Sequence, residues 1–202
     1  MTSNSDMFIY ENKLFAEGVA LIAGMDEAGR GPLAGPVTAA CCIPDFSKIA
    51  EGVNDSKKLT EKKRESLFDL IKSSSVSFSV VSVDEATIDE INILNATKKA
   101  MKEALQKLEI KPEYLLVDAV KCDFGLPYSP IIHGDALSYS IAAASVLAKV
   151  TRDRLMLEYD ELYPEYGFAK HKGYGTKQHI EALKKYGPCP IHRRTFIKNF
   201  FN

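Results

Sequence analysis

Three short apolar runs in this sequence each stop at carboxylates. Residues 17–27, EGVALIAGMDE, end at Asp26 and Glu27; residues 113–120, EYLLVDAV, carry Asp118; residues 129–135, SPIIHGD, end at Asp135. Runs this short and rich in branched side chains read as buried strands. Residues 35–43, GPVTAACCI, and the alternating stretch 75–83, SVSFSVVSV, add two more. Helical patterns lie between and after them. One helix follows Thr60 as N-cap, with Leu67, Leu70 and Ile71 as its apolar face. A second spans 85–108, with Ile88, Ile91, Leu94, Met101, Leu105 and Leu108 near helical spacing and a break near Asn92. A long helix at about 136–162 is stopped by Pro164, and residues 176–187 form another that closes at Gly187. The first three strands can pair as an antiparallel meander. The last two are reached through helices and require parallel pairing. The expected class is therefore α/β: a mixed five-stranded sheet flanked by helices, with a helical C-terminal segment.

At 202 residues, without an internal repeat or a low-complexity linker, the chain reads as a single domain over 1–202. No run approaches the roughly 20 apolar residues of a membrane span. The first residues, MTSNSDMFIYENK, show neither the basic nor the apolar region of a secretory signal. Cys41, Cys42, Cys122 and Cys189 include no CxxC and read as reduced thiols. The expected location is cytoplasmic, away from any membrane. A net charge of -1 conceals an asymmetry: residues 170–202 hold eight Lys or Arg against one acid, Glu181. A basic helical segment on an acidic body suits contact with a polyanion.

The acids set the chemistry. Side chains at the carboxyl ends of strands in an open α/β sheet converge on one crevice. Four carboxylates there would repel and hold their protons unless cations joined them. All-oxygen ligand sets suit Mg2+ or Mn2+, and two such ions about 4 Å apart can clamp an in-line phosphoryl displacement. Any one of these acids alone reads as a loop or helix cap. Adjacent strand residues point to opposite faces, so Asp26 and Glu27 reach one site only if the strand ends, bends or bulges there. The glycines of GMDEAGRGPLAGP, residues 24–36, permit such a turn and let backbone N–H groups approach a ligand, while Arg30 offers a phosphate-seeking fork.

Taken in order, GMDEAGRGPLAGPV, DSKKL, INILNAT, LLVDAV, HGDALSYSIAAASVLAKVTRD, HKGYGT and GPCPIHRRTF resemble the ribonuclease HII family, the type 2 ribonucleases H of bacteria, from about residue 20 to 197. The resemblance implies a ribonuclease H-like fold and metal-dependent cleavage of RNA in RNA–DNA hybrids and at ribonucleotides embedded in duplex DNA. It also implies cutting on the 5′ side, leaving 3′-hydroxyl and 5′-phosphate ends. Carried over, the family's metal-binding acids fall on Asp26, Glu27, Asp118 and Asp135. Its element that senses the ribose 2′-hydroxyl falls on Gly29, Arg30 and Gly31, and its stacking tyrosine on Tyr174. Ala119 stands where many members have glycine. No obligatory protein partner is implied.

Other candidates rest on the residues alone. Along the long helix, Ser138, Ala142, Ser145, Lys149 and Arg152 share one side and could track phosphates; Ile141, Ala144, Ala148, Thr151 and Leu155 share a more apolar one. Lys57 and Lys58 are further phosphate contacts by charge. A β-branched residue at Gly29 or Gly31 is expected to harm cleavage more than folding. Three rival readings are a nucleotide-binding enzyme using the 29–35 glycine loop, a non-catalytic nucleic-acid binder, and a zinc module of Cys189, His192, His171 and His179. The first lacks the P-loop ending, the second gives the acids no task, and the third matches no common zinc spacing.

Overall fold

The computed structural model describes residues 7–201. Strands β1 (Ile22–Ala28), β2 (Val37–Pro44) and β3 (Ser75–Val83) form an antiparallel meander; β4 (Tyr114–Asp118) and β5 (Tyr128–Ile131) add parallel to the other edge of β1, giving the order β3-β2-β1-β4-β5. The expected mixed sheet is present, and helices between residues 85 and 107 lead into β4 as expected; β5, however, follows β4 through residues 119–127, which hold no helix, so the second helical crossover is replaced by a loop.

Helices cover both faces. Helix α1 is Ile9–Ala16 and α2 is Glu61–Ser73, whose Thr60 cap accepts from the Lys63 N–H at 3.3 Å. The predicted break divides α3 (Glu85–Ile91) from α4 (Ile93–Lys107): Asn92 takes φ 66° and its side chain caps α4. Ala96, Ala100, Met101 and Ala104 of α4 pack on Ala23, Met25, Ala39, Val81 and Val117 of the sheet. The opposite face meets α2 through Leu67, Phe68 and Ile71, and meets α5 (Tyr139–Leu162) through its alanines and Val146. Burial of each large apolar side chain contributes roughly 1.5–3 kcal/mol.

Helix α5 lies directly on β1. A Cβ at Gly24 would stand 1.9 Å from the Ser140 carbonyl carbon, so only glycine admits the helix there. The helix begins later than its periodicity suggests. Ser138 is its N-cap, and a 3-10 turn, Gly134–Ala136, precedes it. Beyond Leu162 come three shorter helices, α6 (Phe168–His171), α7 (Lys177–Tyr186) and α8 (Arg194–Ile197). They pack Tyr166, Phe168, Cys189 and Ile191 on Ala34 and Met156, beside the glycine loop. Among the described residues no helix is long and apolar enough to cross a membrane.

Candidate active site

The two acids of β1 reach one cavity without the bend or bulge that alternation seemed to require. Pairing with β2 runs from Gly24↔Cys42 through Ala28↔Thr38 with no shift, so the strand continues past both acids. Neighbouring β4 stops instead: its pairing with β1 ends at Met25↔Val117. Past that point one edge of β1 is uncovered. Asp26, on the α5 face with Gly24, and Glu27, on the opposite face with Met25, both border the space left by β4. Asp118 is the last residue of β4, level with Asp26.

Asp135 is not on a strand. Strand β5 ends at Ile131, and Asp135 sits in the following 3-10 turn. That turn is tied to the site, because the Gly134 N–H donates to Asp118 Oδ1 at 2.8 Å. Lys57 Nζ donates to Asp135 Oδ2 at 3.2 Å. A cavity of about 210 Å3 is lined by Asp26, Glu27, Asp118, the 28–31 backbone, Ser56, Lys57, Ser145, Lys149 and Tyr174. Asp135 lies just behind this lining, reached through Lys57.

The electrostatics are unbalanced. Burial, then the Glu27 and Asp118 charges, hold Asp26 well above the usual carboxylate range, against hydrogen bonds from Ser145 and the Glu27 N–H. Burial and Asp118 raise Glu27 despite Arg30, whose Nη1 lies 3.5 Å from Glu27 Oε1. Burial raises Asp135 despite Lys57. Glu27 Oε2 is buried with no hydrogen-bond partner. Among the described residues no three His, Cys, Asp or Glu side chains already stand in ligating geometry. In donor type the crevice nonetheless fits a hard divalent cation: three acids face it, all-oxygen, one with an orphaned oxygen, and repulsion between them is what a cation relieves.

The glycine loop is held by two buried arginines from distant parts of the chain. Arg193 Nε donates to the Gly35 carbonyl at 2.9 Å and Nη1 to the Arg30 carbonyl at 2.9 Å, while Nη2 donates to the carbonyls of Gly29, Gly35 and Pro36 at 2.6, 2.7 and 3.2 Å. Arg152 serves Pro36, Lys172 and Ala34 through Nε, Nη1 and Nη2 at 2.9, 3.0 and 3.2 Å. Among the described residues no acceptor takes the N–H of Arg30 or Gly31. The loop thus has its carbonyls engaged and two amide donors free at the cavity.

These contacts correct two expectations. Arg152 faces the interior and braces the loop, so the polar side of the long helix does not run along solvent. Ser138 and Ala142 are likewise buried, and of that side only Ser145 and Lys149 reach the cavity. Gly29, with φ 95°, would place a Cβ 2.0 Å from Arg152 Nε, so any side chain there disrupts folding too. Gly31 is different: its Cβ would meet only Tyr174 Cε1, at 3.7 Å. Lys149 Nζ is held by Asp153 Oδ1 at 2.8 Å while bordering the cavity. Lys58 instead pairs with Asp55 at 3.9 Å. Tyr174 is 46% exposed at the cavity edge.

A sequence model described as Ribonuclease HII matches residues 23–200. The chain belongs to the ribonuclease HII family. A ribonuclease HII of Caldanaerobacter subterraneus subsp. tengcongensis is 60% identical over 194 residues, covering 96% of this chain and 80% of its own. One of Caldicellulosiruptor bescii is 55% identical over 203 residues, covering 100% and 98%. Among solved structures, the ribonuclease H2 from Pyrococcus horikoshii OT3 superposes with a TM-score of 0.76 at 32% identity, over 91% of this chain and 100% of that one. Membership in ribonuclease HII makes the chain a ribonuclease H endonuclease acting on RNA–DNA and removes the non-enzymatic readings.

Three features of the chain were not foreseen. Ser56 joins the lining, its Oγ 2.8 Å from Ser145 Oγ. Ala119 adopts φ 49°, a left-handed conformation that costs a non-glycine residue about 1–2 kcal/mol. The four residues of the zinc reading do gather, but as a hydrogen-bonded cluster: His179 Nε2 lies 3.0 Å from His192 Nε2, and Cys189 Sγ lies 3.1 Å from His192 Nδ1. With both nitrogens of His192 and His179 engaged, no ligand set remains open there.

Proposed function

We propose that this crevice hydrolyses the phosphodiester on the 5′ side of a ribonucleotide, in RNA–DNA hybrids and at single ribonucleotides in duplex DNA, leaving 3′-hydroxyl and 5′-phosphate ends. Asp26, Glu27, Asp118 and Asp135 hold Mg2+ or Mn2+. The observation that supports this best is the convergence of Asp26, Glu27 and Asp118 on the cavity that the 29–31 loop also lines. Divalent cations bound there would supply a nucleophile at neutral pH and neutralise the leaving oxygen.

The chain's own residues do the rest. Asp26 and Asp118, from adjacent parallel strands, present carboxylates side by side, and Ser145 borders the same cavity. Lys57 holds Asp135 in reach of the cavity. The free N–H groups of Arg30 and Gly31 can meet a 2′-hydroxyl, the group that separates RNA from DNA. The Tyr174 ring, beside Gly31, can pack on the sugar, and Lys57 and Lys149 face phosphates.

The test is a DNA duplex with one ribonucleotide, incubated with Mg2+, with Mn2+ and with EDTA, and the cut mapped. A single cut 5′ to the ribonucleotide, only with metal, is expected. Cleavage in EDTA, or of all-DNA duplex at a similar rate, overturns the reading. G31V should cleave slowly while unfolding like wild type; normal cleavage by G31V removes the loop from ribose recognition.

A further inference from the structure

The histidine cluster beside the cavity fixes its own protonation pattern. The Tyr174 carbonyl can only accept, so His179 Nδ1, at 2.9 Å, must carry the proton. The Cys189 N–H can only donate, so His192 Nδ1, at 3.1 Å, must be bare. A neutral His192 then carries its proton on Nε2 and donates it across 3.0 Å to the bare Nε2 of His179. The chain of bonds therefore runs in one direction: Cys189 N–H to His192, His192 to His179, His179 to Tyr174. A second proton on either ring would set two N–H groups against each other. Burial and the neighbouring imidazoles agree with this, pushing both rings down to about 4.

The end of the chain is the segment that needs fixing. Tyr174 sits between Gly173, with φ 85°, and Gly175, so little in its own sequence holds it. Its N–H donates to the His171 carbonyl at 2.9 Å. Its carbonyl accepts from the Thr176 N–H at 2.8 Å as well as from His179. The His171 ring stacks on His179 with centroids 4.4 Å apart. None of these rings lines the cavity; only Tyr174 does.

We propose that His192 and His179 are positioning residues: a tautomer-locked relay, anchored at Cys189, that sets the Tyr174 ring over the 29–31 loop and so tunes binding of the ribonucleotide. This rests on the reading of Tyr174 as a substrate contact. Leucine at 192 removes the donor that keeps His179 bare at Nε2, whereas glutamine can place its amide N–H near the position of Nε2.

Long-range 1H–15N spectra of the intact protein report which ring nitrogen is protonated, independently of activity. Wild type should show His179 protonated at Nδ1 and His192 at Nε2. H192L should leave His179 protonated at Nδ1 but let Nε2 take up a second proton at a higher pH than in wild type, and H192Q should restore the wild-type pattern. On the single-ribonucleotide duplex, H192L should raise KM roughly tenfold, the worth of a weakened stacking contact, with kcat changing less. H192Q should recover most of that loss. In a Y174A background the H192L effect should shrink to less than about twofold. Protons on the opposite nitrogens in wild type overturn the relay whatever the kinetics. Additive effects of H192L and Y174A overturn the route through Tyr174. A wild-type KM for Y174A overturns the substrate role of Tyr174, and with it the functional half of the proposal, while the spectra judge the relay separately.

Discussion

The two walls of the cavity are built on opposite principles. The acidic wall is left incomplete: Asp26, Glu27 and Asp135 are all raised by burial, and one Glu27 oxygen has no partner. The opposite wall is braced from behind, with only the Arg30 and Gly31 N–H groups left free at the cavity. Arg193 spends Nε, Nη1 and Nη2 on loop carbonyls, and both nitrogens of His179 and of His192 are engaged. Buried charge without partners is costly, and the chain retains it only where a ligand is to complete it. On the proposed reading, the side that recognises the ribose is braced in advance, while the side that takes cations holds its mismatch until they arrive.

The sharpest way to break this comparison is D26N. Cleavage should fall roughly a thousandfold, the scale of losing one preorganised electrostatic group. Yet the metal-free protein should melt at least about 2 °C higher at neutral pH, because a repelling charge is gone. A lower melting point in calorimetry would show that the acidic wall is not under strain. On the rigid wall, R193K exchanges a planar fork for a point charge and strands several carbonyls. It should cost about 3–5 kcal/mol, a drop on the order of 10 °C, with the four acids untouched. An unchanged melting curve would remove Arg193 as the brace.

Acid separates the two walls by sign. His179 and His192 titrate at about 4 when folded against an ordinary value of 6.5, so their contribution is full above pH 6.5 and is lost as pH falls toward 4. The raised carboxylates act in reverse: the folded state binds their protons first, so falling pH relieves it. Wild type should therefore lose little stability between pH 6.5 and 4. D26N, lacking part of the relief, should lose it more steeply, which melting curves across that range would read. Parallel curves would sink the opposition. On the proposed reading, cleavage should rise with pH as the carboxylates ionise to take up metal; an optimum below pH 6 would count against it. The smallest expected effect is A119G. Removing the Cβ at φ 49° should stabilise by about 1 kcal/mol, or 2–4 °C, with little change in cleavage.

The sheet and the helix break at Asn92 were legible because they rest on periodicity and local chemistry. The acids were legible as ends of apolar runs, but two details escaped. Asp135 follows Ile131 by a turn through His133, at φ 57°, which no alternation reveals. Glu27 shares the cavity because β4 ends early, a fact about a neighbouring strand and not about β1. Arg152 was misread since helical spacing cannot tell solvent from a loop that lies across the helix. A signal did exist. Residues 29–36 hold three glycines and two prolines, so they cannot pair their own carbonyls and must borrow distant donors. The histidines were judged by zinc spacing, whereas their association is tertiary, made by α7 and the segment before α8.

Arg193 grips Gly29 from 164 positions further along the chain. During synthesis all four acids emerge from the ribosome well before the residue that stiffens the 29–36 loop. A polypeptide cut short of that point would keep the acidic corner but lack the brace of the loop, so on the proposed reading it would handle cations before it could tell RNA from DNA.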